Sequence, residues 1–69
     1  MKIDYSDHAK NRMKQRGVTE LEVEHVLEHP DYIKKTFEGR KEALGRIKNR
    51  PIKIEFIEIE NYIRIITVI

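Results

Sequence analysis

Residues 6–30 read SDHAKNRMKQRGVTELEVEHVLEHP, and the first part of this stretch has the signals of a helix. Ser6 is a favourable N-cap residue, and Gly17 is a favourable left-handed helix stop. Together they predict a first helix over residues 7–16.

A second helix is marked more clearly. Thr19 and Glu22 have the spacing of a capping box, which predicts a helix from about residue 20 to about residue 29. The pair His29-Pro30 ends it, because the residue before a proline is disfavoured in a helix. The two helices are therefore predicted to form an αα-hairpin.

Beyond Asp31 the apolar residues follow the two-residue period of strands. Strands are predicted over residues 31–37, 40–48, 51–59 and 62–69, with tight turns between them. The last strand has apolar residues on both faces, so it is predicted to lie inside the sheet or under a partner. The predicted fold class is α+β, an N-terminal αα-hairpin packed on a four-stranded antiparallel sheet.

Length and composition limit the classes of protein that the chain can belong to. It has 69 residues, which predicts a single domain over residues 1–69, and it has no cysteine for disulfides or thiolate metal sites. It also lacks both the ~18 consecutive apolar residues of a membrane span and the apolar core of a signal peptide, which predicts a cytoplasmic protein without membrane contact. His25 and His29 lack the partners of a metal site, so neither a metal nor a cofactor is expected.

Charge is divided unevenly along the chain. The net charge is +2, but residues 18–33 carry −5 and residues 34–53 carry +6. The basic residues of the second segment are Lys34, Lys35, Arg40, Lys41, Arg46, Lys48, Arg50 and Lys53. Such a block predicts an anion-facing surface, although ordinary solvated faces would give the same pattern.

The first predicted helix carries a basic row beside its apolar side. His8, Arg12 and Arg16 follow one another at every fourth position, which places them on one arc next to Ala9 and Met13. A helix whose charges serve solubility alone usually has them opposite its apolar side. The row therefore suggests a function.

Several motifs resemble those of a known family. They are YSDHAKNRMKQRGVT at residues 5–19, GRKEALGR at residues 39–46 and IITV at residues 65–68. The chain resembles small prokaryotic proteins described as a domain of unknown function and grouped with BrnT-like and RelE-like toxins. This resemblance implies a RelE-like fold of the barnase-EndoU type. It also implies a toxin of a type II toxin–antitoxin system that acts as a metal-independent endoribonuclease, with free or ribosome-bound RNA as substrate and an antitoxin as partner.

Metal-independent RNA cleavage needs a base for the 2′-hydroxyl, cations for the phosphorane and an acid for the leaving oxygen. The predicted catalytic residues are His8, Arg12 and Arg46, with His8 as the base. The predicted substrate-binding residues are Arg16, Arg40, Lys41, Lys48 and Thr67. The hypothesis requires the imidazole of the first helix and the guanidinium groups of the second predicted strand to meet in one pocket.

Each of these roles has a structural alternative. His8 is also typical of a capping or core-edge residue, Arg12 and Arg16 of ion pairs with the acidic second helix, and Thr67 of an ordinary strand. The alternative function is a non-catalytic RNA-binding or protein-interaction module of the same fold, because only Glu42 is placed to complete an acid–base pair. A homodimer is a further expectation, since the apolar last strand invites pairing.

Overall fold

The computed structural model describes residues 2–69, which form seven elements. In chain order these are β1 (Lys2–Tyr5), α1 (Asp7–Arg16), α2 (Glu20–Glu28), β2 (Tyr32–Lys35), β3 (Arg40–Ile47), β4 (Arg50–Ile59) and β5 (Tyr62–Val68). The helices and the last four strands confirm the predicted elements, whereas β1 has no counterpart among them. In this part of the chain no helix is long and apolar enough to cross a membrane.

Both helices begin at the caps that the sequence predicts. The Ser6 hydroxyl accepts a hydrogen bond from the Ala9 N–H at 3.0 Å, and Gly17 ends α1 with a φ of 67°. Thr19 Oγ1 accepts a hydrogen bond from the Glu22 N–H at 3.2 Å, and the Glu22 carboxylate accepts one from the Thr19 N–H at 2.9 Å. These bonds satisfy N–H groups that a helix start leaves without partners.

The sheet has five strands in the order β1-β5-β4-β3-β2, with β1 parallel to β5 and the remaining pairs antiparallel. The predicted fold class, an N-terminal αα-hairpin on a four-stranded antiparallel sheet, is therefore wrong. A strand precedes the hairpin and makes the sheet mixed. Only Ile3 and Tyr5 mark the alternation of this short strand, and its partner residues, Ile63 and Ile65, lie at the far end of the chain.

Strand β5 lies inside the sheet, between β1 and β4, which was one of its two predicted positions. The β4–β5 register shifts after Glu55, which pairs with Thr67, and this shift is a β-bulge. The Ser6 N–H donates to the Ile65 carbonyl at 3.0 Å, and the Ser6 hydroxyl donates to the Ile66 carbonyl at 2.9 Å. Strand β5 thus fixes the point from which α1 starts.

Both helices cover the same face of the sheet, with α1 packed on β5 and α2 packed on β3. The core consists of Ala9, Met13, Val18, Val23, Val26, Ala43, Ile52, Ile54, Phe56, Ile65 and Val68. Gly45 lets α2 approach β3 closely, because a Cβ at this position would lie 2.9 Å from Cγ1 of Val26.

The opposite face of the sheet, which we call the open face, is covered by no helix within residues 2–69. Strand alternation and register place on it Lys2, Asp4, Tyr32, Lys34, Arg40, Glu42, Leu44, Arg46, Pro51, Lys53, Glu55, Ile57, Ile59, Tyr62, Arg64 and Thr67. Most of these residues are charged or polar, in contrast to the apolar face under the helices.

Candidate nucleic-acid interface

The predicted site residues are distributed over both sides of the molecule. His8, Arg12 and Arg16 lie along α1, Arg40, Arg46 and Thr67 lie on the open face, Lys41 lies on the helical side of β3, and Lys48 lies in the β3–β4 turn. No single pocket contains all of them.

The alternation of β3 separates the predicted catalytic groups. Gly45 lies against Val26 of α2, so its neighbour Arg46 is directed to the open face. His8 stands on α1, which packs on the other face. The prediction that His8 and Arg46 meet in one pocket is therefore wrong. The sequence shows which strand residues alternate, but the packing of the helices decides which set they cover.

On the open face, one arginine and one lysine side chain form ion pairs with carboxylates of β3 and β4. Arg40 Nη1 lies 3.0 Å from Glu55 Oε1, and Lys34 Nζ lies 3.6 Å from Glu42 Oε2. The Tyr32 hydroxyl also donates to Glu42 Oε2, at 3.2 Å. Because Arg40 and Lys34 each have an acidic partner, these two side chains offer little net positive charge to a phosphate.

Three further strand cations are paired in the same way, whereas Lys35 and Lys53 have no acidic partner within ion-pair distance among the described residues. Arg46 Nε lies 3.3 Å from Asp31 Oδ2, and Arg64 Nη2 lies 2.9 Å from Asp4 Oδ2. On the helical side, Lys41 pairs with Glu58 of β4. The predicted substrate-binding residues Arg40 and Lys41 and the predicted catalytic residue Arg46 are thus all engaged in ion pairs.

The carboxylates of Glu42 and Glu55 face each other across β3 and β4, and their side chains are only 14% and 20% exposed. Like charges in direct opposition destabilise a sheet, so Arg40 and Lys34 compensate a repulsion that the strands themselves create. Beside Glu55, the Thr67 hydroxyl is buried without a hydrogen-bond partner among the described residues. This cluster holds carboxylates and a guanidinium group in contact without histidine.

The C-terminal turn of α1 and the β3–β4 turn come together at one end of the molecule. Arg50 Nη2 donates a hydrogen bond to the carbonyl oxygen of Arg16 at 2.5 Å. We call Lys14, Arg16, Lys48 and Arg50 the basic end. All four are exposed, and across residues 2–69 none of them has an acidic partner within ion-pair distance. The two segments joined by the Arg50–Arg16 bond thus carry four cations without acidic partners. Elsewhere among residues 2–69, Lys2, Lys10, Lys35 and Lys53 also lack one.

Arg12 extends the basic end along α1, and His8 lies one turn further towards the start of the helix. In the described part of the chain, Arg12 and Arg16 form no ion pair with α2, so this structural alternative is wrong. His8 does not cap α1, because Ser6 does. The basic row that the sequence predicts thus leads from His8 into the basic end.

Sequence reasoning predicted Arg16 and Lys48 as substrate-binding residues but did not single out Lys14 or Arg50. Arg50 belongs to the basic segment of residues 34–53, which was the available signal. Its position beside α1 depends on how the helices lie on the sheet, and local sequence does not contain that information.

The α2 side of the molecule is acidic. Burial, followed by the nearby carboxylates of Glu20 and Glu24, raises the pKa of Tyr5 to about 12. A groove of about 380 Å³ beside α2 is lined by Ile3, Leu27 and Ile63 and by the carboxylates of Glu24 and Glu28. These carboxylates repel phosphate. Within residues 2–69 no three His, Asp or Glu side chains converge in a way that would hold a metal ion.

A family described as a domain of unknown function, DUF4258, matches residues 5–69. The chain belongs to the DUF4258 family. No curated protein and no solved structure matches it. The resemblance to BrnT-like and RelE-like toxins is not tested by these comparisons and stays a prediction.

The DUF4258 region begins at the last residue of β1 and includes both helices and strands β2 to β5. The basic end and the Glu42–Glu55 cluster therefore both lie within the part of the chain that matches the family.

Proposed function

We propose that the protein binds RNA through the basic end, as a module that holds the sugar–phosphate backbone. The supporting observation is the group of four exposed cations without acidic partners, at a place where two elements meet. Uncompensated lysine and arginine side chains bind nucleic acid by replacing the counterions of the phosphates. The ion-paired cations of the open face would first have to give up their carboxylates.

This mode of binding is expected to depend little on RNA sequence. The basic end contains no aromatic side chain on which a base could stack, and stacking and base-edge contacts are what specify sequence. The charges alone would also hold a DNA backbone. RNA is favoured as the ligand by the resemblance to RelE-like toxins, so single-stranded DNA of the same sequence is a necessary control.

The test is the salt dependence of binding to a fluorescein-labelled single-stranded RNA of about 20 nucleotides, measured by anisotropy. For single strands the logarithm of the association constant falls by about 0.7 for each phosphate neutralised, per unit of log salt concentration, so four cations predict a slope of about −3. The double variant Arg16→Gln, Lys48→Gln is expected to reduce the slope by about 1.4 and to weaken binding at low salt more than tenfold. Arg50 is left unchanged because it also bonds to the end of α1.

The matched control is the double variant Arg46→Gln, Arg64→Gln, which removes the same charge from two ion-paired side chains. It is expected to leave the slope unchanged. Equal weakening in both double variants would show that RNA senses overall charge and not the basic end. Binding that is insensitive to salt would also contradict the proposal.

The cluster on the open face favours a second candidate function, metal-independent RNA cleavage of the kind that the toxin resemblance implies. A carboxylate can accept the 2′-hydroxyl proton, and a guanidinium group can stabilise the charged phosphorane. Glu42, Glu55 and Arg40 bring these groups together. In this proposal Glu42 takes the place of His8 as the base. The 2′-oxygen attacks the phosphorus, the bond from phosphorus to the 5′-oxygen breaks to leave a 2′,3′-cyclic phosphate, and water protonates the leaving 5′-oxygen.

Cleavage is tested by incubating labelled RNA with the protein in EDTA and resolving the products. If cleavage occurs, Glu42→Gln is expected to abolish it while RNA binding is retained, and His8→Ala is expected to leave it intact. Loss of cleavage in His8→Ala but not in Glu42→Gln would contradict this assignment. A role in a toxin–antitoxin system, an antitoxin partner and contact with the ribosome remain proposals that rest on the resemblance.

A further inference from the structure

Within residues 2–69, strand β2 forms one edge of the sheet and pairs only with β3. Its four residues are all exposed. Large exposed apolar side chains gather here, with Tyr32 39%, Ile33 47% and Phe37 61% exposed. An edge of this kind presents unpaired backbone groups to which another strand can bond.

The backbone groups that face outward can be identified from the pairing with β3. The Thr36 N–H donates to the Arg40 carbonyl, so Thr36 and alternate residues before it direct their backbone groups towards β3. Ile33 and Lys35 occupy the intervening positions and direct theirs away from the sheet. A strand added at this edge would therefore bond to Ile33 and Lys35.

We propose that a second copy of this chain pairs with β2 through its own β2, in antiparallel orientation about a two-fold axis. In a symmetric antiparallel pair, residues whose backbone groups face outward must stand opposite residues of the same kind. The two-fold axis can therefore pass beside Ile33, Lys34 or Lys35, and we call that residue the centre of the register. Centres at Lys34 or Lys35 would place a lysine directly opposite the same lysine of the other copy. Like charges in that position are unfavourable, so the registers centred on the two lysines are excluded. The register centred on Ile33 remains.

The register centred on Ile33 brings complementary groups together. Ile33 stands opposite the partner's Ile33, and the two residues exchange both backbone hydrogen bonds. Tyr32 stands opposite the partner's Lys34, a pairing that the chain already uses internally, since Lys34 Nζ lies 5.8 Å from the centre of the Tyr32 ring. Asp31 lies outside this pairing, because its N–H donates to the Leu44 carbonyl and its carboxylate holds Arg46 on the open face. The result is a continuous ten-stranded sheet with two open faces on the same side.

The contact is short, because β2 has four residues. Stable dimers commonly bury about 800 Å² on each partner. A weaker, reversible dimer is therefore expected, with a dissociation constant of the order of 100 µM. This inference does not depend on RNA binding.

The experiment is sedimentation equilibrium of the full chain up to about 500 µM. The wild type is expected to show reversible monomer–dimer behaviour. Ile33→Lys places lysine opposite lysine and is expected to raise the dissociation constant at least tenfold. The matched control, Leu21→Lys, makes the same change at an α2 side chain that is 77% exposed, and it is expected to leave dimerisation unchanged.

Ile33→Pro gives a second measure. The Ile33 N–H faces away from β3, so proline removes a bond of the proposed dimer without removing one from the monomer. This variant is expected to be monomeric with a circular dichroism spectrum like that of the wild type. If it does not fold, Ile33→Lys alone decides. The proposal would be overturned by a wild type that stays monomeric throughout, or by equal weakening in Ile33→Lys and Leu21→Lys. A strand of another protein would then be the candidate for pairing with this edge.

Discussion

Replacing Gly45 by alanine tests the close contact between α2 and β3. It also tests the face to which Arg46 points, because Arg46 is the next residue of the strand. The added Cβ would lie 2.9 and 3.2 Å from the two γ-carbons of Val26 and 3.3 Å from its Cβ. Carbon atoms in favourable contact are separated by about 3.5–4.0 Å, so α2 or β3 must move. Overpacking of this kind costs about 1–3 kcal/mol, and the reduced freedom of the unfolded chain returns about 0.4–1 kcal/mol. The net loss of stability is expected to be about 1–2 kcal/mol.

A double-mutant cycle isolates this contact. Val26→Ala alone removes two buried methyl groups and is expected to cost about 2 kcal/mol. In Gly45→Ala, Val26→Ala the new methyl group occupies part of the space that the valine leaves. The loss in the double variant is therefore expected to be smaller than the sum of the single losses by about 1 kcal/mol or more.

The assay is urea unfolding followed by circular dichroism, with linear extrapolation of the free energy of unfolding to water. Val23→Ala is the matched control, because Val23 is also a buried valine of α2 but is not among the atoms nearest to Gly45. Its combination with Gly45→Ala is expected to be additive. Additivity with Val26→Ala, or a Gly45→Ala variant as stable as the wild type, would falsify the assignment of β3 faces.

Two further predictions concern the junction of β1, α1 and β5. Ser6→Ala removes the cap of α1 and leaves the Ile66 carbonyl without the Ser6 donor, so a loss of about 1–2 kcal/mol is expected in the same unfolding assay. Thr19→Ala, which removes a cap but no contact with β5, should cost less, and an equal loss would contradict the role given to the Ile66 bond. For Tyr5, the folded pKa of about 12 lies above the unfolded value of 10.0, so the unfolded chain loses its proton first. Stability should therefore be unaffected by this group below pH 10 and should decline between about pH 10 and pH 12. Tyr5→Phe should weaken that decline. In an ultraviolet titration, the folded wild type should show one tyrosine fewer losing its proton near pH 10 than the unfolded chain does. An unchanged alkaline decline in Tyr5→Phe would contradict the assignment.

The helices could be predicted from sequence because their signals are local. The Ser6 cap, the Gly17 stop and the Thr19 capping box each act within a few residues of where they stand. Strand β1 could not be predicted in the same way, since it is four residues long and pairs in parallel with Ile63 and its neighbours. Nothing in the local pattern of residues 2–5 indicates that partner.

The candidate site shows the same division. The basic row of α1 was visible in the spacing of its residues, and so was the alternation of β3. Which side of β3 the helices cover depends on Gly45 meeting Val26, and the meeting of Arg50 with Arg16 depends on the path of α1 across the sheet. Both are tertiary facts, and they moved the candidate site from a pocket shared by His8 and Arg46 to the end of the molecule.

The interior position of β5 has a consequence for synthesis on the ribosome. β5 is the last strand in the chain and separates β1 from β4, so a nascent chain lacks the strand that joins the two until residues 62–68 have emerged. Up to that moment β4 has one bare edge, and β1 has no partner at all. Pairing of β1 with β5 closes a long loop that contains all the elements between them. Such closure is slow, because its entropic cost comes before the strand pairing can compensate for it. Before β5 pairs, the newly made chain should therefore have β1 unpaired and one edge of β4 unpaired, as a species that chaperones recognise.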